Sequence, residues 1–147
     1  MESTATYHAV PQPSADRWSD VADLVGRIMI AVIFIMAGAD KLFGHTAQTV
    51  QMMQAYGVPL ASLLVYPAGI IELFAGLALA VGYRARIAAL ALALFTVLVT
   101  PIFHAFWDVP ADQVMNQMLF FTKNLAIIGG LLHILAHGAR RFALKRG

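Results

Sequence analysis

The sequence predicts an all-α integral membrane protein, a transmembrane bundle of four helices. The 147-residue chain is 60% hydrophobic and 12% charged, with a mean hydropathy of +0.73. A helix needs about 20 predominantly apolar residues to cross roughly 30 Å of hydrocarbon, and four such stretches follow one another here. A soluble helical core would need amphipathic surface helices, which the sequence does not show.

The spans and their flanks follow from where the apolar stretches stop. We predict a flexible N-terminal tail over 1–19, a transmembrane domain over 20–138 and a basic C-terminal tail over 139–147. The predicted spans are about 21–43, 60–82, 87–106 and 115–137. The polar start followed by a long apolar run favours a retained anchor over a cleavable signal peptide. Residues 47–56, closed by Gly57 and Pro59, are predicted as an interfacial helix, with an ordinary loop as the alternative.

Orientation follows from the distribution of lysine and arginine. Both tails and the connection between the second and third spans are basic, whereas the other two connections contain only Lys41. The basic residues concerned are Arg17, Arg84, Arg86, Arg140, Arg141, Lys145 and Arg146. We therefore predict that both termini are cytoplasmic and that the 45–59 and 107–112 connections face outward.

Composition also limits the chemistry. Cysteine is absent, which excludes a disulfide, an iron–sulfur cluster and covalently attached c-type haem. A haem between His104 and His133 is excluded because they should differ by about 25 Å in depth at 1.5 Å per residue. His133 and His137 have chelating spacing, but their position at the basic end favours anchoring, and we predict no metal site. The basic residues form no single patch, so no nucleic-acid partner is expected.

A polar stripe marks the third span. Steps of four residues connect Thr96, Thr100, His104 and Asp108, which would share one face of a continuous helix. His104 could move a proton or bind a carbonyl oxygen, and Asp108 would orient its ring. Trp107, taken alone, is typical of the aromatic belt at a membrane interface.

Glu72 is the acid of the second span and lies near its middle. An ionised group there costs about 2.5–3.5 kcal/mol on insertion scales, so Glu72 should be protonated or paired. Arg27 and Lys123 are the predicted partners, one from each side of the membrane. A structural clamp between helices is the alternative to a role in proton handling or ligand binding.

Most remaining polar residues fall in the predicted outer half. They can converge inside a four-helix bundle, where ligand sites commonly form. The set comprises Lys41, His45, His104, Trp107, Asp108, Asn116, Lys123 and Asn124.

Several of these residues together resemble the DoxX family of small four-helix membrane proteins. The resemblance covers about residues 24–137. It rests on Arg27, Phe34, Gly38, Lys41 and Glu72, on His104-Ala105-Phe106-Trp107-Asp108, and on Phe121-Thr122-Lys123-Asn124 leading to Gly129-Gly130. It implies a multi-pass protein of the bacterial inner membrane. It also implies a component of quinone-linked systems, including a subunit of thiosulfate:quinone oxidoreductase, or of membrane complexes that handle oxidative stress.

The favoured hypothesis is a quinone-interacting subunit of an oxidoreductase. His104 and Lys123 would contact the quinone oxygens, Asp108 would orient His104, and Glu72 would handle protons. Arg27, Lys41, Trp107 and Asn124 would complete the ligand-binding set. Besides lipid, we expect other subunits or further copies of the chain as partners.

Two other hypotheses stay open. The absence of nucleotide, flavin or haem motifs favours a non-catalytic anchor or assembly subunit. A small-solute or proton carrier could use the same charged interior, although the sequence lacks the inverted repeat of many transporters.

Overall fold

The computed structural model describes residues 13–144, and their regular structure is helical throughout. Four helical stretches are long and apolar enough to span a membrane: Arg17–Gly44, Ala61–Val81, Ala85–Phe103 and Ala111–His137. The predicted all-α, four-span architecture is confirmed. The orientation, with both termini cytoplasmic, stays a prediction.

The helices are interrupted by two π-helical turns. The α-helices are α1 (Pro13–Ala39), α2 (Thr46–Ala55), α3 (Ala61–Ile70), α4 (Gly76–Val81), α5 (Ala85–Phe103) and α6 (Ala111–His137). The first π turn, Asp40–Gly44, continues α1 and is called the lysine turn because it carries Lys41. The second, Ile71–Ala75, joins α3 to α4 and is called the glutamate turn because it carries Glu72. Such turns occur frequently at functional sites.

Two predicted boundaries are wrong. The N-terminal tail is too long, because α1 begins at Pro13, and proline suits the first position of a helix; residues 1–12 lie outside the described chain. The third span ends at Phe103 rather than at 106. Beyond it, Phe106 lies 5.4 Å and Trp107 lies 5.8 Å from Phe121 between ring centroids. The chain turns there to make these aromatic contacts instead of continuing the helix.

Close helix packing begins between α1 and the second span. A Cβ built on Gly38 would lie 2.5 Å from the backbone nitrogen of Leu73 and 2.7 Å from the carbonyl oxygen of Gly69. Only glycine permits this backbone approach. A main core of small and aliphatic residues extends from there towards α5 and α6, including Ala31, Phe34, Leu79, Ala89, Leu92, Leu131 and Ile134.

The first two spans do not end at the same level. A Cβ on Gly69 would lie 3.2 Å from that of Lys41, so the lysine turn lies beside the middle of the second span. The start of α3 therefore extends beyond the end of α1, and α2 occupies the space that this offset leaves. Met53 of α2 is buried with Ala61 and Val65 in a second apolar cluster. The predicted helix in this segment is confirmed, and it packs against the bundle.

The opposite end of the bundle, called here the Arg27 end, is closed by a charged clamp. Arg27 is only 1% exposed. Its Nε contacts Asp23 Oδ2 at 3.0 Å, and its Nη1 donates to the carbonyl oxygens of Leu79 and Ala80, each at 3.0 Å. Its Nη2 donates to the carbonyl oxygen of Phe142 at 2.6 Å. Arg27 thus connects α1, α4 and the C-terminal segment.

The predicted C-terminal tail is partly wrong as well, because residues 139–144 pack onto the Arg27 end. The Arg140 backbone nitrogen donates to Asp23 Oδ2 and its Nε to Asp20 Oδ1, both at 3.1 Å. The Leu144 nitrogen donates to the carbonyl oxygen of Val81 at 3.0 Å. The main-chain groups of this segment therefore find partners in the bundle, which a free tail would leave to water.

Candidate functional site

A buried ion pair is the centre of the candidate site. Lys41 Nζ lies 2.8 Å from Glu72 Oε2, and the two side chains are 20% and 7% exposed. The lysine turn supplies the cation and the glutamate turn supplies the anion. The prediction that Glu72 is paired is therefore correct, but the predicted partners, Arg27 and Lys123, are wrong.

The reason lies in the offset between the first two spans. In the predicted spans Lys41 is two residues from the end of its helix and Glu72 is twelve from the start of its own, which separates them by about 15 Å in depth at 1.5 Å per residue. This separation holds only if the ends of the two helices are level. The α3 helix rises past the end of α1 instead, so the two side chains meet.

The ion pair does not saturate its own hydrogen-bonding capacity. Glu72 Oε2 is buried and has the Lys41 ammonium as its polar partner, at 2.8 Å. The ammonium otherwise reaches only the Ala37 carbonyl oxygen, at 3.5 Å. Buried polar atoms nearly always have a hydrogen-bond partner. An ammonium has three donors and an ionised carboxylate has about four acceptor sites, so the pair keeps hydrogen-bonding capacity for a further polar group.

A cavity of about 220 Å³ adjoins the pair. The lysine turn, α2, the second span and the second half of α5 line it. Its walls are Lys41, Thr49, Met52, Met53, Tyr56, Ala68, Glu72, Phe95, Val99, Phe103 and His104. Apolar and aromatic walls with a few polar groups are typical of small-molecule sites.

His104 also lines this cavity and belongs to a hydrogen-bonded chain. Its Nδ1 lies 2.9 Å from Gln117 Oε1 on α6. The amide nitrogen of Gln117 donates to the Tyr56 hydroxyl at 3.3 Å, and the Tyr56 ring packs edge-on against Phe103 with centroids 5.2 Å apart. The chain connects α6 to the end of α2, and so it fixes both His104 and one wall of the cavity.

Asp108 does not orient His104, contrary to the prediction. The α5 helix ends at Phe103, so Asp108 lies in the following turn and not one helical turn beyond His104. Gln117 occupies the predicted place of Asp108 at the imidazole. Thr96 and Thr100 do form the buried part of the stripe, and each donates to the carbonyl oxygen four residues earlier.

The other predicted ligand contacts lie outside the cavity. Lys123 is exposed on α6, with its Nζ 4.7 Å from the Phe120 ring centroid. Trp107 is 61% exposed. Asn124 is half-buried and donates to Thr100 Oγ1 at 3.1 Å, and Arg27 is fully engaged in the clamp. Of the eight predicted site residues, the structure brings together Lys41, Glu72 and His104.

Sequence reasoning missed the contribution of α2 and α6 to the site. Tyr56, Met52 and Met53 were assigned to a surface helix, and Gln117 was not considered. The alternation of methionine, glutamine and threonine along α2 gives no clear apolar face, so the sequence carried little signal that this helix covers a cavity.

A second, larger groove of about 740 Å³ lies between α1 and α6 at the Arg27 end. Gly26 and Gly130 line it, and His133 and His137 lie at its edge with their rings 4.3 Å apart between centroids. Within residues 13–144, no three or more His, Asp or Glu side chains are grouped so as to hold a metal ion.

These features define a class: a small helical membrane protein of four spans whose interior contains an ion pair beside a ligand-sized cavity. The chain belongs to the DoxX family, whose model matches residues 22–105. It is 32% identical over 123 residues to the inner membrane protein YphA of Escherichia coli (strain K12), covering 84% of this chain and 87% of that protein.

A second relative is the inner membrane protein YqjF of the same organism. It is 37% identical over 129 residues, covering 86% of this chain and 92% of that protein. No solved structure matches the chain. The predicted family is confirmed, and the protein is a multi-pass protein of the bacterial inner membrane.

Proposed function

We propose that the protein is the quinone-binding membrane subunit of a quinone-linked oxidoreductase, and that the quinone ring occupies the cavity beside Lys41 and Glu72. The observation that carries this proposal is the buried Lys41–Glu72 ion pair on the cavity wall, whose ammonium and carboxylate keep donors and acceptors for a ligand. A lipid-soluble molecule with polar atoms on a flat ring would enter from the bilayer and reach that pair.

The shape of the cavity supports a ring as the occupant. Its volume of about 220 Å³ lies below the ~300–1,000 Å³ of sites for drug-sized ligands, so it suits one substituted ring whose tail stays outside. The wall along α5 extends from Phe95 to Phe103, which is about 12 Å at 1.5 Å per residue. Aromatic and methionine side chains provide polarisable contacts for the ring faces.

The polar groups fit the two oxygens of such a ring. An ammonium has three donors, of which Lys41 directs one at Glu72, so donors remain for a ring oxygen. Glu72 can take up or release a proton beside that oxygen. His104 provides another polar group on the cavity wall.

The test is equilibrium binding of a short-chain ubiquinone analogue to the purified protein in lipid nanodiscs. Lys41→Met should weaken binding at least about tenfold, because the lost contact is a charged hydrogen bond of about 1.5–3 kcal/mol. Lys123→Met is the matched control, since it removes a lysine of the same bundle outside the cavity. Equal affinities of the two variants would contradict the proposal.

Lys41→Met alone leaves Glu72 buried without a cation, which can reduce folding. The double variant Lys41→Met, Glu72→Met avoids this, because replacing a whole buried ion pair by apolar residues is often neutral or stabilising. The double variant should keep its melting temperature in detergent and still fail to bind the analogue. A folded double variant that binds the analogue normally would show that the ion pair is not part of the ligand site.

A second candidate is a non-catalytic assembly subunit, and exposed Lys123 favours it. Lysines within membrane helices usually face protein or water rather than lipid, so a neighbouring subunit or second copy would cover this face of α6. In this case Lys123→Met should reduce the size of the complex extracted in mild detergent. An unchanged complex would argue for snorkelling of the ammonium to the interface instead.

A further inference from the structure

We infer that Gln117 is a positioning residue that makes the cavity select the reduced, hydroxyl-bearing form of the ring over the oxidised form. The inference rests on the proposed function and goes beyond it by naming the form that the site prefers. The hydrogen bonds between His104, Gln117 and Tyr56 determine whether the His104 ring donates a hydrogen bond to a ligand or accepts one.

The amide of Gln117 fixes the imidazole tautomer. Its nitrogen donates to the Tyr56 hydroxyl at 3.3 Å, so its carbonyl oxygen is the atom that faces His104 Nδ1, at 2.9 Å. A carbonyl oxygen can only accept, and therefore Nδ1 carries the hydrogen. In neutral imidazole the other nitrogen, Nε2, is then an acceptor with a free lone pair.

That free lone pair belongs to the part of the ring available to the cavity. His104 lines the cavity whereas Gln117 does not, so the edge turned from Gln117 is the one that a ligand can reach. Within the described residues Nε2 has no hydrogen-bond partner. His104 therefore offers an acceptor to the cavity.

The ion pair offers an acceptor too. Glu72 Oε2 lies 2.8 Å from Lys41 Nζ, but an ionised carboxylate has about four acceptor sites and no donor, so it can still accept from a ligand hydroxyl. Two acceptors on the wall of one cavity match an aromatic diol, whose two hydroxyl groups both donate. The corresponding quinone has only acceptor oxygens, so it would leave the His104 lone pair facing another lone pair. Tyr56 and Lys41 retain donors for the quinone, which should therefore bind, but more weakly.

The experiment compares the affinities of a short-chain hydroquinone and its quinone under anaerobic conditions, with the full-length protein in nanodiscs. We expect wild type to bind the hydroquinone about tenfold more tightly, the scale set by leaving a buried acceptor unpaired. Gln117→Leu should bring the ratio close to one while quinone binding changes less than about twofold. Gln113→Leu, an exposed glutamine one turn earlier on α6, is the matched control and should keep the wild-type ratio.

A spectroscopic measurement separates positioning from a merely structural role. The ring ¹⁵N shifts of labelled histidine, assigned by comparison with His104→Asn, report which nitrogen is protonated. Wild-type His104 should show Nδ1–H, and Gln117→Leu should shift it towards Nε2–H. Gln117→Glu keeps an acceptor at Nδ1 and should retain the wild-type tautomer and the preference.

The outcomes distinguish the two proposals. If neither form binds to wild type, the proposed function fails and the inference fails with it. If both forms bind equally, or if wild-type His104 carries its proton on Nε2, only the inference is overturned. A Gln117→Leu variant that loses both affinities in proportion would show that Gln117 supports the cavity without selecting its occupant.

Discussion

Two regions of the bundle, the Arg27 end and the surroundings of Lys41, differ in how many polar contacts they give to a buried cation. At the Arg27 end, the guanidinium makes four polar contacts, with Asp23 and three carbonyl oxygens, and the C-terminal segment covers them. Around Lys41, the ammonium has one close carboxylate, Glu72 at 2.8 Å, and one distant carbonyl oxygen, that of Ala37 at 3.5 Å, and a cavity lies beside the pair. The difference teaches that burial of charge alone does not mark a site. Unused hydrogen-bonding capacity beside open space does.

The largest loss of stability should come from removing the Arg27 side chain. Arg27→Met leaves Asp23 and three carbonyl oxygens without their donor, and removing one partner of a buried charge network costs about 3–5 kcal/mol. We expect a large drop in the melting temperature in detergent, together with protease cleavage after Arg140 or Arg141 as the C-terminal segment detaches. Quinone binding by the remaining folded fraction should be unchanged. A variant with wild-type stability would show that the contacts of Arg27 are dispensable.

A smaller loss of stability should follow from pushing the two π turns apart. Gly38→Ala places a Cβ against the backbone of Leu73 and Gly69, at 2.5 and 2.7 Å, and such overpacking typically costs about 1–3 kcal/mol. Because the same contact brings Lys41 to Glu72, the variant should also lose affinity for the analogue.

Gly129→Ala is the matched control for Gly38→Ala. A Cβ at Gly129 meets no atom within 4 Å, and alanine is favoured over glycine in a helix by about 1 kcal/mol. This variant should therefore be as stable as wild type or more so, with unchanged binding. Equal loss in both variants would mean that the contact at Gly38 is not specific.

The smallest effect on stability and ligand binding should come from Asp108→Asn. The aspartate is exposed in the turn after α5 and lies off the stripe that ends at His104. Surface substitutions of this kind usually stay within about 0.5 kcal/mol, and binding and the histidine tautomer should be unaffected. A changed His104 tautomer in this variant would restore the role that the sequence assigned to Asp108 and weaken that of Gln117.

Hydropathy was sufficient to predict the four spans, because each must satisfy its backbone within one apolar helix of about 20 residues. It could not place the π turns, since an extra residue per turn leaves no mark on average hydropathy. The partner of Glu72 was missed for this reason and because helix ends were taken as level.

The orientation of Lys123 was predictable in part. Asn124, Ile127, Leu131 and Ile134 are spaced by three, four and three residues, and these residues make the inward stripe of α6. Neighbouring residues on a helix point about 100° apart, so Lys123 could not share that stripe with Asn124. The pocket residues from α2 depended on tertiary packing, which local patterns do not encode.

The glutamate turn has a mechanical consequence for the whole second span. Glu72 and the carbonyl oxygens that hold Arg27 belong to one continuous rod, with the wide turn of Ile71–Ala75 between them. Because the i→i+5 turn already holds one extra residue, deleting one residue there would leave an ordinary α-helical turn and keep Leu79 and Ala80 facing the guanidinium. Deleting a residue of α4 instead, between Gly76 and Ala78, would rotate Leu79 and Ala80 by about 100° relative to Glu72 and release Arg27, so the span tolerates a deletion in the π turn but not in the α-helix that follows it.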